Sequence, residues 1–448
     1  MPAPIRLFAW LLSAIAGVAL LAGCGGERRD AKVIRVVRNV GSRQGFKMHW
    51  DAWKAAFERD NPGWKMELVN AGDAQVKQYY MQRIAGNDLP PVIQTWNLTR
   101  FLADNGHLLP LPDAYYEKFG MPLPTPYKGK RYATMGSLQL QGIAVNRKLW
   151  QEIGVAEPPA TWDAFVECLR KIKANGHKPM TYGALDWCAF MPLLYATHAS
   201  LYPYQSDQVD GTKPSWNRLR DQRKTTFASD PVARQILVNL IALLTEFSSD
   251  KALSDGYDES KAEFHQGKTG CWLMGCWIGG DLEPNKVDFE IDYWPLPSMI
   301  GRKPIFITGS YLQTGWAVTR TAAGPALEKA FAVLDALYDP KVYQTWLNAE
   351  SMLPTAAKVP GAIGPRSDWP AARYFCDSMV ANYKKYGVTR GAVIDMDDQP
   401  PTGLDTPMKE VMQEILTGKR DVDAILKKLD DAWDSLRKAE ASNPDPGQ

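Results

Sequence analysis

Short β-branched runs alternate with amphipathic helical stretches from Val33 onward, and few folds accommodate that alternation. Val33 to Val37 is β-branched with one Arg and reads as a buried strand. The loop Gly41-Ser42-Arg43-Gln44-Gly45 leads into a helix with Trp50, Trp53, Ala56 and Phe57 on one face. That helix stops before Asn61-Pro62-Gly63. Lys65 to Val69 is a second strand, Gln75 to Ala85 a helix ended by Gly86, and Val92 to Thr95 a third strand opening into Trp96-Asn97. Strands that alternate with helices build parallel α/β structure, because each crossover helix covers a sheet face.

The rest of the chain continues the pattern. Gly129-Lys130-Arg131-Tyr132 opens a strand-rich stretch through Asn146. Thr161 is an N-cap for a helix whose Trp162, Phe165, Val166, Leu169 and Ile172 share one face, with Gly176 as its stop. Asp230-Pro231 starts another, with Ile236, Leu240, Leu244 and Phe247 on its apolar side. An apolar strand follows Gly267-Lys268-Thr269-Gly270 and ends in Gly275-Cys276-Trp277. Asp292 to Pro297 reads as a crossing segment. Helices are expected at Pro325–Tyr338, Asp339–Leu347, Pro407–Leu416 and Asp421–Arg437, before a frayed tail from Asn443. There is no internal repeat.

A chain of 448 residues exceeds one compact core, so two lobes are expected. With 52 basic against 50 acidic residues, the charge balance excludes an electrostatic footprint for nucleic acid or an anionic membrane surface. The 16 Trp residues exceed what cores usually need, and a saccharide site would use the excess. Trp50, Trp53, Trp162, Trp346 and Trp433 lie at helical spacing and are assigned to packing.

Residues 1–23 read as a signal peptide: Arg6 is the positive region, and the apolar run Leu7–Ala22 is broken only by Ser13 and Gly17. Leu21-Ala22-Gly23-Cys24 resembles the bacterial lipobox, which implies lipidation of Cys24 and residues 24–32 as a tether. The expected location is the cell envelope, on its periplasmic or extracellular face. The other five cysteines, Cys168, Cys188, Cys271, Cys276 and Cys376, cannot all pair internally. Export permits disulfides without assigning any, and buried free thiols are the default reading.

Five segments, in order, resemble the family 1 extracellular solute-binding proteins. They are Tyr79 through Gly86-Asn87-Asp88-Leu89-Pro90-Pro91-Val92; Tyr127 through Tyr132 with Gly142 through Trp150; Pro158-Pro159-Ala160-Thr161-Trp162; Phe264-His265-Gln266-Gly267-Lys268 with Gly275-Cys276-Trp277; and Pro295-Leu296-Pro297 through Glu328-Lys329-Ala330 to Met352-Leu353-Pro354. Pro91 stands where the family usually has Asp, and Val145 replaces a Tyr. The resemblance implies a type II periplasmic-binding-protein-like fold, two α/β lobes joined by hinge crossings near Ser137–Gln141, Tyr293–Pro297 and Ala349–Pro354. Residues 33–139 and 295–351 then form the N-lobe, and 140–294 and 352–448 the C-lobe. It also implies a monomeric binding protein, not an enzyme and without cofactor, that captures a carbohydrate by lobe closure and delivers it to ABC importer membrane subunits.

Ligands of open α/β sheets sit beyond the carboxyl ends of the strands. Sugars need aromatic rings for their C–H faces and in-plane partners for their hydroxyls. Loops after strands therefore supply the candidates: Ser42 and Arg43, Trp96 and Asn97, Gln139 near a hinge, Asp186 and Trp187, Trp277, Ser310 and Tyr311 after Gly309, and Arg373 following the last crossing. The resemblance places an aromatic of the Trp277 turn in the cleft. Neutral hydrogen-bonders favour an uncharged sugar, whereas Arg43 and Arg373 together would favour an acidic one.

Other chemistries lack their motifs. A P-loop at Gly267-Lys268-Thr269 needs Gly where Ala262 stands. The five His residues show no zinc spacing, and there is no Gly-x-Ser-x-Gly elbow. A carboxylate pair for glycoside hydrolysis is compatible with the sequence, so a secreted sugar-acting enzyme is one competing reading; the same fold binding a non-sugar solute, or presenting its ligand to a membrane sensor, are the others.

Overall fold

The computed structural model describes residues 32–38, 44–71, 76–124, 126–201, 215–308, 315–362, 364–389 and 399–442. The leader, Cys24 and the tail lie outside these residues, as do Ser42, Arg43, Gly309, Ser310 and Tyr311. The described strands are β1 (Val33–Arg38), β2 (Lys65–Asn70), β3 (Val92–Gln94), β4 (Ser137–Leu138), β5 (Leu140–Asn146), β6 (Lys178–Thr181), β7 (Thr269–Gly275), β8 (Ile291–Trp294), β9 (Phe306–Thr308), β10 (Trp316–Val318), β11 (Leu353–Pro354) and β12 (Val388–Thr389).

The smaller sheet has the order β10-β3-β1-β2. β1, β2 and β3 are parallel, as the alternation requires, and β10 closes one edge antiparallel. Successive residues of β1 serve opposite faces. Ile34 and Val36 pack with Trp53 and Phe57 of the helix Gln44–Asp60. Val37 packs with Ile93, Tyr80 and Leu102 on the other side.

The larger sheet runs β12-β9-β5-β7-β6, with β8 also paired to β5. It is mixed: β6–β7 and β9–β12 are parallel, while β5 is antiparallel to β7, β8 and β9. Helix starts follow the sequence signals. Thr161 Oγ1 accepts from the Ala164 N–H at 3.2 Å, and Asp230 Oδ1 from the Val232 N–H at 2.8 Å. The five tryptophans assigned to packing are all buried.

Two lobe boundaries fall later than expected. Asp292–Trp294 is not a crossing: it belongs to β8, buried throughout and registered against β5. Phe306 and Ile307 also join the larger sheet through β12 and β5, so the chain leaves the second lobe after Thr308, not at residue 294. Met352, Ala356 and Val359 still pack in the smaller-sheet lobe. The second lobe resumes with the helix Pro370–Tyr386, whose Phe375, Cys376 and Met379 join its core. Two crossings run side by side as the β4–β11 ladder, with Leu138 opposite Leu353 and Ser137 opposite Pro354.

Cys168, Cys188, Cys271, Cys276 and Cys376 are buried free thiols. Among the described residues no helix is long and apolar enough to cross a membrane.

His198 is 4% exposed, and burial lowers its pKa to about 4. The unfolded chain binds a proton at this ring near pH 6.5, while the folded chain resists it down to about 4. Stability should therefore be complete above pH 6.5 and decline as pH falls toward 4, by roughly 3 kcal/mol from this ring. Burial holds His265 at about 4 as well, so the two effects run together. Melting temperatures across this range should fall less steeply for His198→Asn than for the parent.

Candidate ligand-binding site

Strand β7 is buried along its whole length and delivers its carboxyl end to the turn Cys276–Asp281. Gly275 is required there because the Trp277 ring lies back across it: a Cβ at 275 would stand 1.7 Å from that ring. Trp277 is thereby held nearly buried, at 8% exposure.

Trp187 begins the short helical turn Trp187–Phe190 beyond β6. Its ring centroid is 6.3 Å from Trp277 and 5.2 Å from Tyr257. Tyr257 in turn lies 5.5 Å from Trp272 of β7. Two carboxylates fix this row. Asp186 accepts from the Cys188 N–H at 3.0 Å with one oxygen and from the Tyr257 N–H at 2.8 Å with the other. Asp186 thus clamps the Trp187 loop to the helix Tyr257–His265, a structural task that the loop position alone did not show. Asp281, almost fully buried, faces Lys261 Nζ at 3.4 Å, which ties the same helix to the Trp277 turn.

In the first lobe, Trp96 follows β3 with φ +44°, a left-handed backbone that a bulky residue rarely adopts. Such strain persists where surrounding structure enforces it, and it concentrates at ligand loops. The ring is half-buried, 6.4 Å from Tyr80, whose hydroxyl donates to the Gln94 carbonyl at 2.6 Å. Asn97 continues the turn Trp96–Leu98. Gln139 sits half-buried between β4 and β5, at a crossing.

Arg373 does not join these residues. It is exposed on the helix Pro370–Tyr386 and donates to the Asp368 carbonyl at 2.9 Å, the ordinary surface role of an arginine near a helix start. Its place after the last crossing does not bring it to the site, because its helix carries it on the exposed side.

The structure adds residues that the sequence did not single out. Tyr257 completes the aromatic row, and its only local signal is the Gly256 preceding a helix. Arg38, at the end of β1, is buried in an ion pair with Glu350, which follows the helix Pro340–Ala349. Its guanidinium carbon also lies 3.9 Å from the Phe46 ring centroid. Cys276, beside Trp277, has its thiol pushed up to about 12 by burial and so keeps its proton. Among the described residues no group of His, Cys, Asp and Glu is placed to hold a metal ion.

Comparison with known proteins places these features in context. A family model described as bacterial extracellular solute-binding protein matches residues 46–344. The multiple sugar-binding protein of Streptococcus mutans is 23% identical over 257 residues, 54% of this chain and 57% of the relative, so the match spans a little over half of that protein. A sugar transporter of Bacillus licheniformis solved with stachyose superposes with a TM-score of 0.67 at 19% identity, covering 90% of this chain and 100% of the other. A chitin oligosaccharide binding protein gives 0.72 at 16% identity, covering 91% and 99%.

Proposed function

We propose that this chain, which belongs to the bacterial extracellular solute-binding protein family, captures a neutral oligosaccharide outside the cytoplasm and hands it to an ABC importer. The observation that carries the reading is the aromatic row Trp187, Tyr257 and Trp277 beyond the ends of β6 and β7, with neighbouring centroids 5.2 and 6.3 Å apart. Rings at that spacing offer faces for the C–H surfaces of successive sugar units, with hydroxyls left for polar partners at the rims. Trp96, Asn97 and Gln139 supply the first-lobe and hinge side, and Ser42, Arg43, Ser310 and Tyr311 complete the set. Asp186 serves the site by holding Trp187.

The exposure of Arg373 removes one of the two cations that would favour an acidic sugar, which supports a neutral ligand. The names of the relatives agree in class: one is a multiple sugar-binding protein and another was solved with stachyose. A ligand that touches both lobes favours their closed arrangement, because only there are all contacts made. Cys24 anchors the chain to the membrane through its acyl groups, and the protein works as a monomer without cofactor or catalysis.

Titration with stachyose and with a chitin oligosaccharide tests the reading. The expected result is a saturable tryptophan fluorescence change, a raised melting temperature and intact sugar at the end. A chain that hydrolyses either sugar, or that is stabilised only by uronic acids, overturns it. Metabolic labelling with a radiolabelled fatty acid should mark the parent and not Cys24→Ala.

A further inference from the structure

The turn Cys276–Asp281 touches more than the aromatic row. The buried Cys276 Sγ accepts from the Leu140 N–H at 3.3 Å and donates toward the Glu350 carbonyl at 3.8 Å. Leu140 opens β5 just after the first crossing, and Glu350 leads into β11 on the other. One thiol therefore bridges both strands that join the lobes.

The next part of the turn is pressed against the same place. A Cβ on Gly280 would lie 1.9 Å from the Ala349 carbonyl oxygen, and one on Gly279 would lie 2.3 Å from Ser351 Oγ. A Cβ on Gly45 would in turn stand 3.0 Å from the Gly280 carbonyl oxygen. Ser351 itself has φ +46°, so the crossing bends sharply where the turn meets it. Only glycine lets the two backbones approach so closely.

We infer that the turn Cys276–Asp281 is the element that couples ligand stacking to lobe closure, with Cys276, Gly279 and Gly280 as positioning residues. The inference rests on the carbohydrate reading of Trp277. Trp277 adjoins the bridging thiol and lies two residues from the glycine pair, within a single helical turn. A sugar that fixes the ring therefore fixes the surface on which residues 349–351 bear. The crossing is the two-state element, and the turn is a direct physical contact between it and the ligand platform.

Three variants test this, each read by tryptophan fluorescence for binding and by solution scattering for closure, with stachyose and a chitin oligosaccharide as probes. Gly280→Ala inserts a methyl against the Ala349 carbonyl. It should weaken binding roughly tenfold or more, a typical coupling magnitude, and abolish the ligand-induced fall in radius of gyration. Cys276→Ala should lose compaction in the same way, whereas Cys276→Ser, which can still accept and donate, should restore it. Gly86→Ala, at a position with only ordinary contacts, serves as the unaffected control.

If the parent binds neither sugar, the carbohydrate reading fails. If the parent binds and compacts, and both Gly280→Ala and Cys276→Ala do so with parental affinity, that reading stands and the coupling role is wrong. Should Gly280→Ala not fold, the comparison of Cys276→Ala with Cys276→Ser decides alone.

Discussion

Trp277→Ala should weaken oligosaccharide binding by about 2–4 kcal/mol, the range for a buried aromatic anchor, or roughly 30- to 1,000-fold in Kd. The size follows from pre-organisation. Gly275 gives the ring its seat, and Trp187 packs against it, so Trp277 loses little side-chain entropy when the ligand stacks on it. The same burial means that truncation leaves a void, so part of the effect falls on the fold. Trp277→Phe separates the two effects, since it retains an aromatic face over Gly275. The expected order of affinity is parent, then Phe, then Ala, measured by calorimetry on variants with cooperative melts. Equal affinities for parent and Ala would remove Trp277 from the site.

Local chemistry made the smaller sheet legible. β1 and β3 are short β-branched runs bounded by turn residues, and each strand carries its own period in sequence. The helix caps at Thr161 and Asp230 were readable for the same reason: cap and capped groups are three or fewer residues apart. The tryptophans at helical spacing went to packing because amphipathic faces encode burial directly.

Features set by distant partners were not legible. β8 contains Asp292 and ends before Pro295, which reads as a polar crossing. In the fold, Asp292 Oδ1 accepts from Tyr374 Oη and Ser378 Oγ at 3.0 Å each, so a helix some 80 residues on satisfies the carboxylate within the sheet. Nothing near Asp292 announces that helix. Burial still outweighs these bonds and raises its pKa. Arg373 failed in the opposite direction: its place after the last crossing suggested the cleft, while its helix turned it to solvent. In the candidate site, Trp187 and Trp277 were named from strand-end logic and resemblance. Tyr257 and Cys276 matter only through what they touch, and sequence spacing carries no record of those contacts.

The same dependence on distant partners predicts where the second lobe is most fragile. Arg220, 2% exposed, lies in the helix Trp216–Asp221 and donates from Nε to Asp430 Oδ1 at 3.1 Å and from Nη2 to the Asp430 carbonyl at 3.1 Å. Asp430, on the helix Val422–Ala441, also accepts from the Phe227 and Ala228 N–H groups at 2.8 and 2.9 Å. Asp430→Ala removes all of these carboxylate bonds at once and leaves the buried guanidinium with the main-chain carbonyl of residue 430 and with Asp434, at 2.9 Å, on its outer side. Breaking one partner of a buried pair costs about 3–5 kcal/mol, and the surviving Asp434 contact places the expectation near the lower figure. Arg220→Met combined with Asp430→Leu should be much milder, because no charge is then left buried, although the two N–H groups still lose their acceptor. Denaturant midpoints for the single and double variants measure the difference. A single variant as stable as the parent would mean that the pair contributes no net stability to the lobe.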